Sequence, residues 1–135
     1  MSRGRDDDGS VSVELVVFVV PVMILLLIFV VVCGRVASAS ISVHAASAAG
    51  ARAAAAANTP LAAAEAARNA VSASTDIART CTSSVDTSAF RPGGQVSVQL
   101  TCPVSLSDLG LPGLSAVRVM HASATEPIDS HRSMP

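Results

Sequence analysis

The chain has 135 residues, a net charge of -1 and no Trp or Tyr, and half of its residues are hydrophobic. All nine basic residues are Arg, and their scatter along a near-neutral chain excludes the basic surface that nucleic-acid binding needs, so we expect no nucleic-acid partner. Once a membrane span is set aside, the remaining residues suffice for one small, aromatic-poor domain.

The first segment, 1–9, predicts a short cytoplasmic leader. It carries Arg3, Arg5 and three successive Asp, with no apolar residue after Met1, so it has nothing to pack into a core. The balance of Arg on the two sides of the following apolar run slightly favours an N-terminus in the cytoplasm.

The segment 10–34 predicts a transmembrane helix. A carboxylate, Glu14, precedes an uncharged apolar run over residues 15–34. A helix of about 23 residues is roughly 34 Å long, enough to cross a hydrocarbon core of about 30 Å. Pro21 removes one backbone donor inside this span, which predicts either a helix kink or a mild bend without a role.

The start of this span carries a family resemblance. Gly9 precedes Ser10, and a Glu stands at the fifth position after the glycine, as in the type III signal of type IV pilin precursors. The chain most resembles TadE-like pseudopilins of tight-adherence pilus systems, which typically read G-x-x-x-V-E, then a hydrophobic run with Pro. Here these positions are Gly9, Val13, Glu14 and Pro21.

The C-terminal part is also similar to that family. The likeness lies in the segments 102–114, 122–125 and 127–132. Family members often carry Tyr before the last Arg, where this chain has His131.

The resemblance implies that a prepilin-type aspartyl peptidase, supplied by another chain, cuts between Gly9 and Ser10. The carboxylate of Glu14 would then pair with the new terminal amine and set the register between subunits. The implied partners are other pilins or pseudopilins and pilus platform proteins, contacted through the transmembrane helix. The implied role is that of a structural pseudopilin-like subunit that supports assembly of a tight-adherence or type IV-like pilus or a related secretion apparatus.

The segment 35–80 predicts an Ala-rich helical stalk of two helices, broken near 58–60. Thr59 is a suitable N-cap, and Pro60 suits the first turn of a helix from Leu61 to about Arg79. The many alanines favour either close packing with neighbouring subunits or simply a stable helix in solvent.

The segment 81–135 predicts a small exported β-rich domain and tail. Residues 95–102 alternate as in a half-buried strand, and 116–125 repeat that pattern through Val117 and Val119. On the first strand the apolar face comprises Val96, Val98, Leu100 and Cys102. We expect an antiparallel hairpin or small sheet that rests on the Ala-rich helix, because two strands are marginal in water.

Cys81 and Cys102 predict a disulfide. They flank a loop of about 20 residues in an exported domain with few aromatic side chains, where a bridge contributes roughly 3 kcal/mol. Two free buried thiols are the alternative. Cys33 is then the odd thiol, and the sequence assigns it no role.

No convergent set of catalytic groups is recognisable, so we expect no enzyme, no cofactor and no metal site. Asp76, Asp86 and Asp108 are isolated, and the Ser and Thr residues have no adjacent base. The three His residues, at positions 44, 121 and 131, lack ligand spacing.

Several alternatives stay open. A signal peptidase cut after Ala37–Ala39 would release a secreted protein that starts at Ser40. Cys33 would be lipidated in another reading. In a third interpretation the span is an uncut anchor, and Glu14 lies among hydrated headgroups. In a fourth, the membrane helix only tethers a single-span binding module whose loop 106–114 docks a partner.

The sequence thus predicts a membrane-anchored α+β protein. A long N-terminal transmembrane helix continues into an Ala-rich soluble helix, followed by a second helix and a small antiparallel sheet. Abundant Ala, Val and Arg without Lys indicates a GC-rich bacterial genome. We expect it in the cell membrane as a single-pass protein with a cytoplasmic N-terminus and an extracytoplasmic C-terminal domain.

Overall fold

The computed structural model describes residues 7–74, 76–105, 107, 113 and 116–131, with side chains from residue 13 onward except at residue 77. The elements in chain order are α1 (Asp7–Ala55), α2 (Pro60–Ser74), a 3₁₀ turn (Ile77–Thr80), β1 (Thr82–Asp86), β2 (Gln95–Ser105) and β3 (Val117–Pro127). This confirms the predicted α+β class, with a long apolar N-terminal helix, a second helix and a small antiparallel sheet.

The chain divides into two compact units, 1–35 and 36–135. The first unit contains the apolar part of α1. The structure describes α1 from Asp7 onward, so the last three residues of the predicted leader are helical. The leader itself stays a prediction, and residues 1–6 lie outside the described part of the chain.

The second unit contains the break between the two helices near the predicted position. α1 ends at Ala55 and α2 begins at Pro60. The Ala62 N–H donates a hydrogen bond to Thr59 Oγ1 at 3.2 Å, so Thr59 is the N-cap that the sequence predicts.

α2 is shorter than predicted, because it ends at Ser74 instead of continuing to Arg79. Near its end the Ser72 and Ser74 hydroxyls donate hydrogen bonds to backbone carbonyls one turn earlier. Ser, Thr and Asp compete with helical hydrogen bonding in this way, so a run of them favours an end to the helix. The chain continues instead as the 3₁₀ turn Ile77–Thr80.

The sheet has three antiparallel strands in the order β1-β2-β3. In the centre, Val98 of β2 pairs with Val85 of β1 on one side and with Ala124 of β3 on the other. β1 was not predicted from the sequence. Its residues, Thr82–Asp86, include a single apolar side chain, which leaves no alternating pattern to recognise.

A turn follows β1 and is fixed by a carboxylate. The Ser88 backbone N–H donates a hydrogen bond to Asp86 Oδ1 at 2.9 Å. This bond, followed in size by one from the Ser88 side chain, lowers the pKa of the exposed Asp86 carboxyl. The Asp86 carboxylate thus stabilises a local turn.

The buried face of β2 matches the prediction, since Val96, Val98, Leu100 and Cys102 are all at most 1% exposed. The predicted apolar face of β3 is wrong, because Val117 and Val119 are 62% and 51% exposed. The register pairs Leu100 with Ala122, so the even-numbered positions of β3 share the inner face with the buried side chains of β2. A small alanine at that position lets the sheet lie close to the helices.

Fully buried alanines connect the helices to the sheet within the second unit. The group with no exposed surface comprises Ala46, Ala51, Ala54, Ala63 and Ala67. Gly50 of α1 adds to this contact, because a Cβ built on it would meet Val71 of α2 and Val98 of β2. These alanines therefore pack inside the chain, in keeping with the expectation that the sheet rests on the Ala-rich helix.

Candidate processing site and membrane helix

The residues of the predicted cut, Gly9 and Ser10, lie in the first turns of α1. The structure describes their backbone as helical, and their side chains lie outside its description. Glu14 follows Ser10 by four positions, which places the two residues one helical turn apart on the same face. A terminal amine at Ser10 would therefore lie one helical turn before Glu14.

Glu14 directly precedes the apolar run of α1. Its side chain is exposed and lines a shallow, open hollow with Leu15, Phe18 and Val19, all within the first unit. Among the described residues no basic group lies within ion-pair distance of the carboxylate. Within the described part of its unit, this carboxylate thus borders hydrocarbon side chains and has no basic group at ion-pair distance.

The apolar side chains that follow Glu14 point outward. Each large hydrophobic side chain from Val13 to Val31 is at least 43% exposed, and Phe18 is 74% exposed. The uncharged run over residues 15–34 is roughly 30 Å long as a helix, the thickness of a hydrocarbon core. The helix over Val13–Ala55 is a candidate membrane span by length and composition. These features indicate membrane anchoring.

Pro21 lies inside α1, and the helix continues on both sides of it. A proline there leaves the carbonyl of Val17, four residues earlier, without its helical donor. The kink that the sequence predicts at Pro21 stays a prediction.

The predicted disulfide joins Cys81 and Cys102. Cys81 follows the 3₁₀ turn, and Cys102 is fully buried in β2, so the bridge ties the end of the helical segment to the central strand. Cys33 is a free, exposed thiol.

The remaining predicted positions do not converge on a site in the described part of the chain. No group of three or more His, Cys, Asp or Glu side chains in that part is placed to hold a metal ion. His121 Nδ1 lies 3.2 Å from Thr101 Oγ1 across two strands, and His131 Nδ1 lies 3.5 Å from Asp129 Oδ1. Most of the loop 106–114, including all of its leucines, lies outside the described residues.

The ion pair between Arg52 and Glu126 was not predicted from the sequence. Arg52 Nε of α1 lies 3.5 Å from Glu126 Oε1 of β3. The two residues are far apart in the sequence, and nothing in their local patterns indicates that helix and strand meet there.

A comparison with protein families finds a similarity in the N-terminal segment. Residues 9–52 match a family described as TadE-like protein, which is the family that the sequence resembles. The matched segment starts at Gly9 and contains Glu14 and Pro21, and it covers about a third of the chain. No curated protein and no solved structure gives a significant match.

Proposed function

We propose that this chain is a structural, non-enzymatic pseudopilin-like subunit that supports assembly of a tight-adherence or type IV-like pilus, or of a related secretion apparatus. The observation that carries the proposal is Glu14. It is an exposed carboxylate without a described ion-pair partner, at the head of a membrane-length apolar helix, inside the segment that matches TadE-like proteins.

The first step is proteolytic. A membrane aspartyl peptidase, supplied by another chain, hydrolyses the peptide bond between Gly9 and Ser10. This reaction releases the Asp-rich leader and leaves a protonated amine on Ser10 close to the hydrocarbon boundary. The chain therefore enters this reaction as a substrate.

The second step is charge pairing. An ionised side chain at the centre of a membrane helix costs roughly 2.5 to 3.5 kcal/mol on insertion scales, and less near the interface. The amine of Ser10, from the same or an adjacent subunit, neutralises Glu14 when the helix joins a bundle of other pilin helices. Because only one stagger between helices brings a given amine to a given carboxylate, this pairing sets the register of assembly.

The proposed function includes a direction of insertion. The leader stays on the cytoplasmic side, and the unit 36–135 lies outside the cytoplasm. The disulfide between Cys81 and Cys102 supports this orientation, since such bridges persist in oxidising compartments. The exposed apolar side chains of α1 are the surface that contacts lipid, other pilins and pilus platform proteins.

A substitution at Glu14 tests the charge pairing. Glu14→Gln keeps the size of the side chain and removes its charge, so we expect the chain to insert in the membrane and to be processed normally. We expect incorporation into filament to fall at least tenfold, because the terminal amine loses its partner. The measurement is the amount of this chain in sheared filaments relative to the amount in membranes, by quantitative immunoblot.

Glu65→Gln is the matched control, because Glu65 is an exposed glutamate on α2, outside the apolar segment 15–34. It should enter filaments at the wild-type level. Wild-type incorporation of Glu14→Gln would contradict the role of this carboxylate in register.

A further inference from the structure

β3 is a long strand at the edge of the sheet. It comprises eleven residues and pairs with β2 along its whole length. Strands in globular proteins most often have about five or six residues. Among the described residues no strand pairs with the opposite side of β3, so its outward N–H and C=O groups are available for hydrogen bonds.

This edge lacks several of the features that natural proteins use to prevent pairing between sheets. Protected edges are often short, or carry Pro, charged side chains or a bulge. β3 does carry two charged residues, Arg118 and Glu126, on its inner face. β3 has no Pro before its last residue, Pro127, and no Lys. Its register with β2 runs without interruption from Val117 to Pro127, so it contains no bulge. The edge is therefore a regular template for another strand.

The charges of β3 are complementary to those of a second, antiparallel β3. If two copies pair about Ala122, the full strand Val117–Pro127 overlaps, and Arg118 of each copy lies opposite Glu126 of the other. A parallel, in-register pair would instead place each charge opposite its own kind, which is destabilising. A single antiparallel register thus gives both the greatest overlap and two opposite-charge pairs.

Both charged side chains have groups that can make this contact. Arg118 is exposed, and among the described residues no carboxylate lies within ion-pair distance of it. Glu126 contacts Arg52 through Oε1 and has a second carboxylate oxygen that can accept from Arg118 of another copy.

The other pairs in this register are also compatible. On the inner face Ala122 meets Ala122, and Met120 meets Ala124. On the outer face His121 meets Ser123, and Val119 meets Thr125, a pair of β-branched side chains that suits adjacent strands.

We propose that β3 pairs antiparallel with β3 of a second copy of this chain about Ala122, so that two three-stranded sheets join across a two-fold interface. This is strand addition at a sheet edge, with backbone hydrogen bonds for affinity and the Arg118–Glu126 pairs for register. The inference goes beyond the proposed function and does not depend on cleavage at Gly9.

Disulfide trapping tests the register. The full chain is prepared in detergent with Cys33→Ala, so that no native free thiol remains. His121→Cys and Ser123→Cys chains, whose substituted positions are exposed, are mixed and oxidised gently. We expect a disulfide-linked dimer in the mixture at several times the yield of either variant by itself, because position 121 lies opposite position 123.

The matched control mixes Ser84→Cys with Ser123→Cys. Position 84 is exposed on β1, on the same face of the sheet but away from the β3 edge. It should give little linked dimer. Equal yields in the two mixtures, or no linked dimer between positions 121 and 123, would overturn the proposal.

Charge exchange tests the same interface without a crosslink. Arg118→Glu and Glu126→Arg each turn two attractive pairs into two repulsive pairs, so each variant should dimerise with a Kd about tenfold or more above wild type. A 1:1 mixture of the two variants restores opposite charges at both pairs and should recover wild-type affinity. The measurement is sedimentation of the full chain in detergent over a dilution series, and Arg91→Glu, in the turn before β2, is the control that should have no effect.

Wild-type dimerisation of Arg118→Glu would refute the pairing, as would a failure of the mixture to recover affinity. Protection of the β3 edge from hydrogen exchange only when another pilus protein is added would likewise overturn self-pairing.

Discussion

Glu14 and Gly50 show what a sequence reveals about single residues and what it hides. Glu14 is recognisable because one carboxylate before a long uncharged run contrasts with its neighbours. Gly50 lies in an Ala-rich helix, where its sequence context indicates only a residue of low helix propensity. Its role depends on Val71 and Val98, which approach it only in the folded chain.

Gly50→Val should destabilise the folded chain. A Cβ at this position would lie 2.8 Å from Val71 Cγ2 and 3.4 Å from Val98 Cγ1. Val71 is β-branched and has little freedom to turn away, so we expect the free energy of unfolding to fall by about 1 to 3 kcal/mol despite the low helix propensity of glycine. Thermal unfolding in detergent, followed by circular dichroism, measures this as a lower Tm.

Gly34→Ala is the control for this prediction, because nothing lies within 4 Å of a Cβ built on Gly34. It should leave the Tm unchanged or raise it slightly. A Tm for Gly50→Val equal to that of the control would contradict the close packing at Gly50.

At the scale of elements, strong local signals predicted the structure well. The apolar run gave α1, Thr59 and Pro60 gave the start of α2, and strict alternation gave β2. β1 was missed, since a five-residue edge strand rich in Ser and Thr has no periodic signal. The inward face of β3 was assigned wrongly because valines outweigh alanines in a hydrophobic pattern. The register with β2 instead turns Met120, Ala122 and Ala124 towards the core.

The disulfide is a prediction about how the elements are held together. Its cysteines are 21 positions apart, so removal by Cys81→Ala should lower the free energy of unfolding by about 3 kcal/mol, chiefly because the unfolded chain gains freedom. Denaturant unfolding under oxidising conditions measures this. Cys33→Ala removes the free, exposed thiol and should have no comparable effect. Equal stability of the two variants would show that the bridge does not stabilise the fold.

At the scale of the whole molecule, the match to TadE-like proteins covers residues 9–52 and leaves the sheet without a counterpart. The family resemblance in the sheet segments comes from short patterns such as 122–125, which the structure places on the edge strand β3. The self-complementary charges of that strand were not recognisable from sequence, because their meaning depends on which strand is at the edge. The proteins that bind α1 are likewise not visible in a single chain. They are proposed only from the family resemblance.

The central claim is that proteolysis creates the amine that neutralises Glu14. The mass of the mature N-terminal peptide from cell membranes tests it most directly. Our account predicts a chain that starts at Ser10, and a Gly9→Leu variant that keeps its leader. A wild-type chain that retains Met1 or Asp7, or one that starts at Ser40, would contradict it.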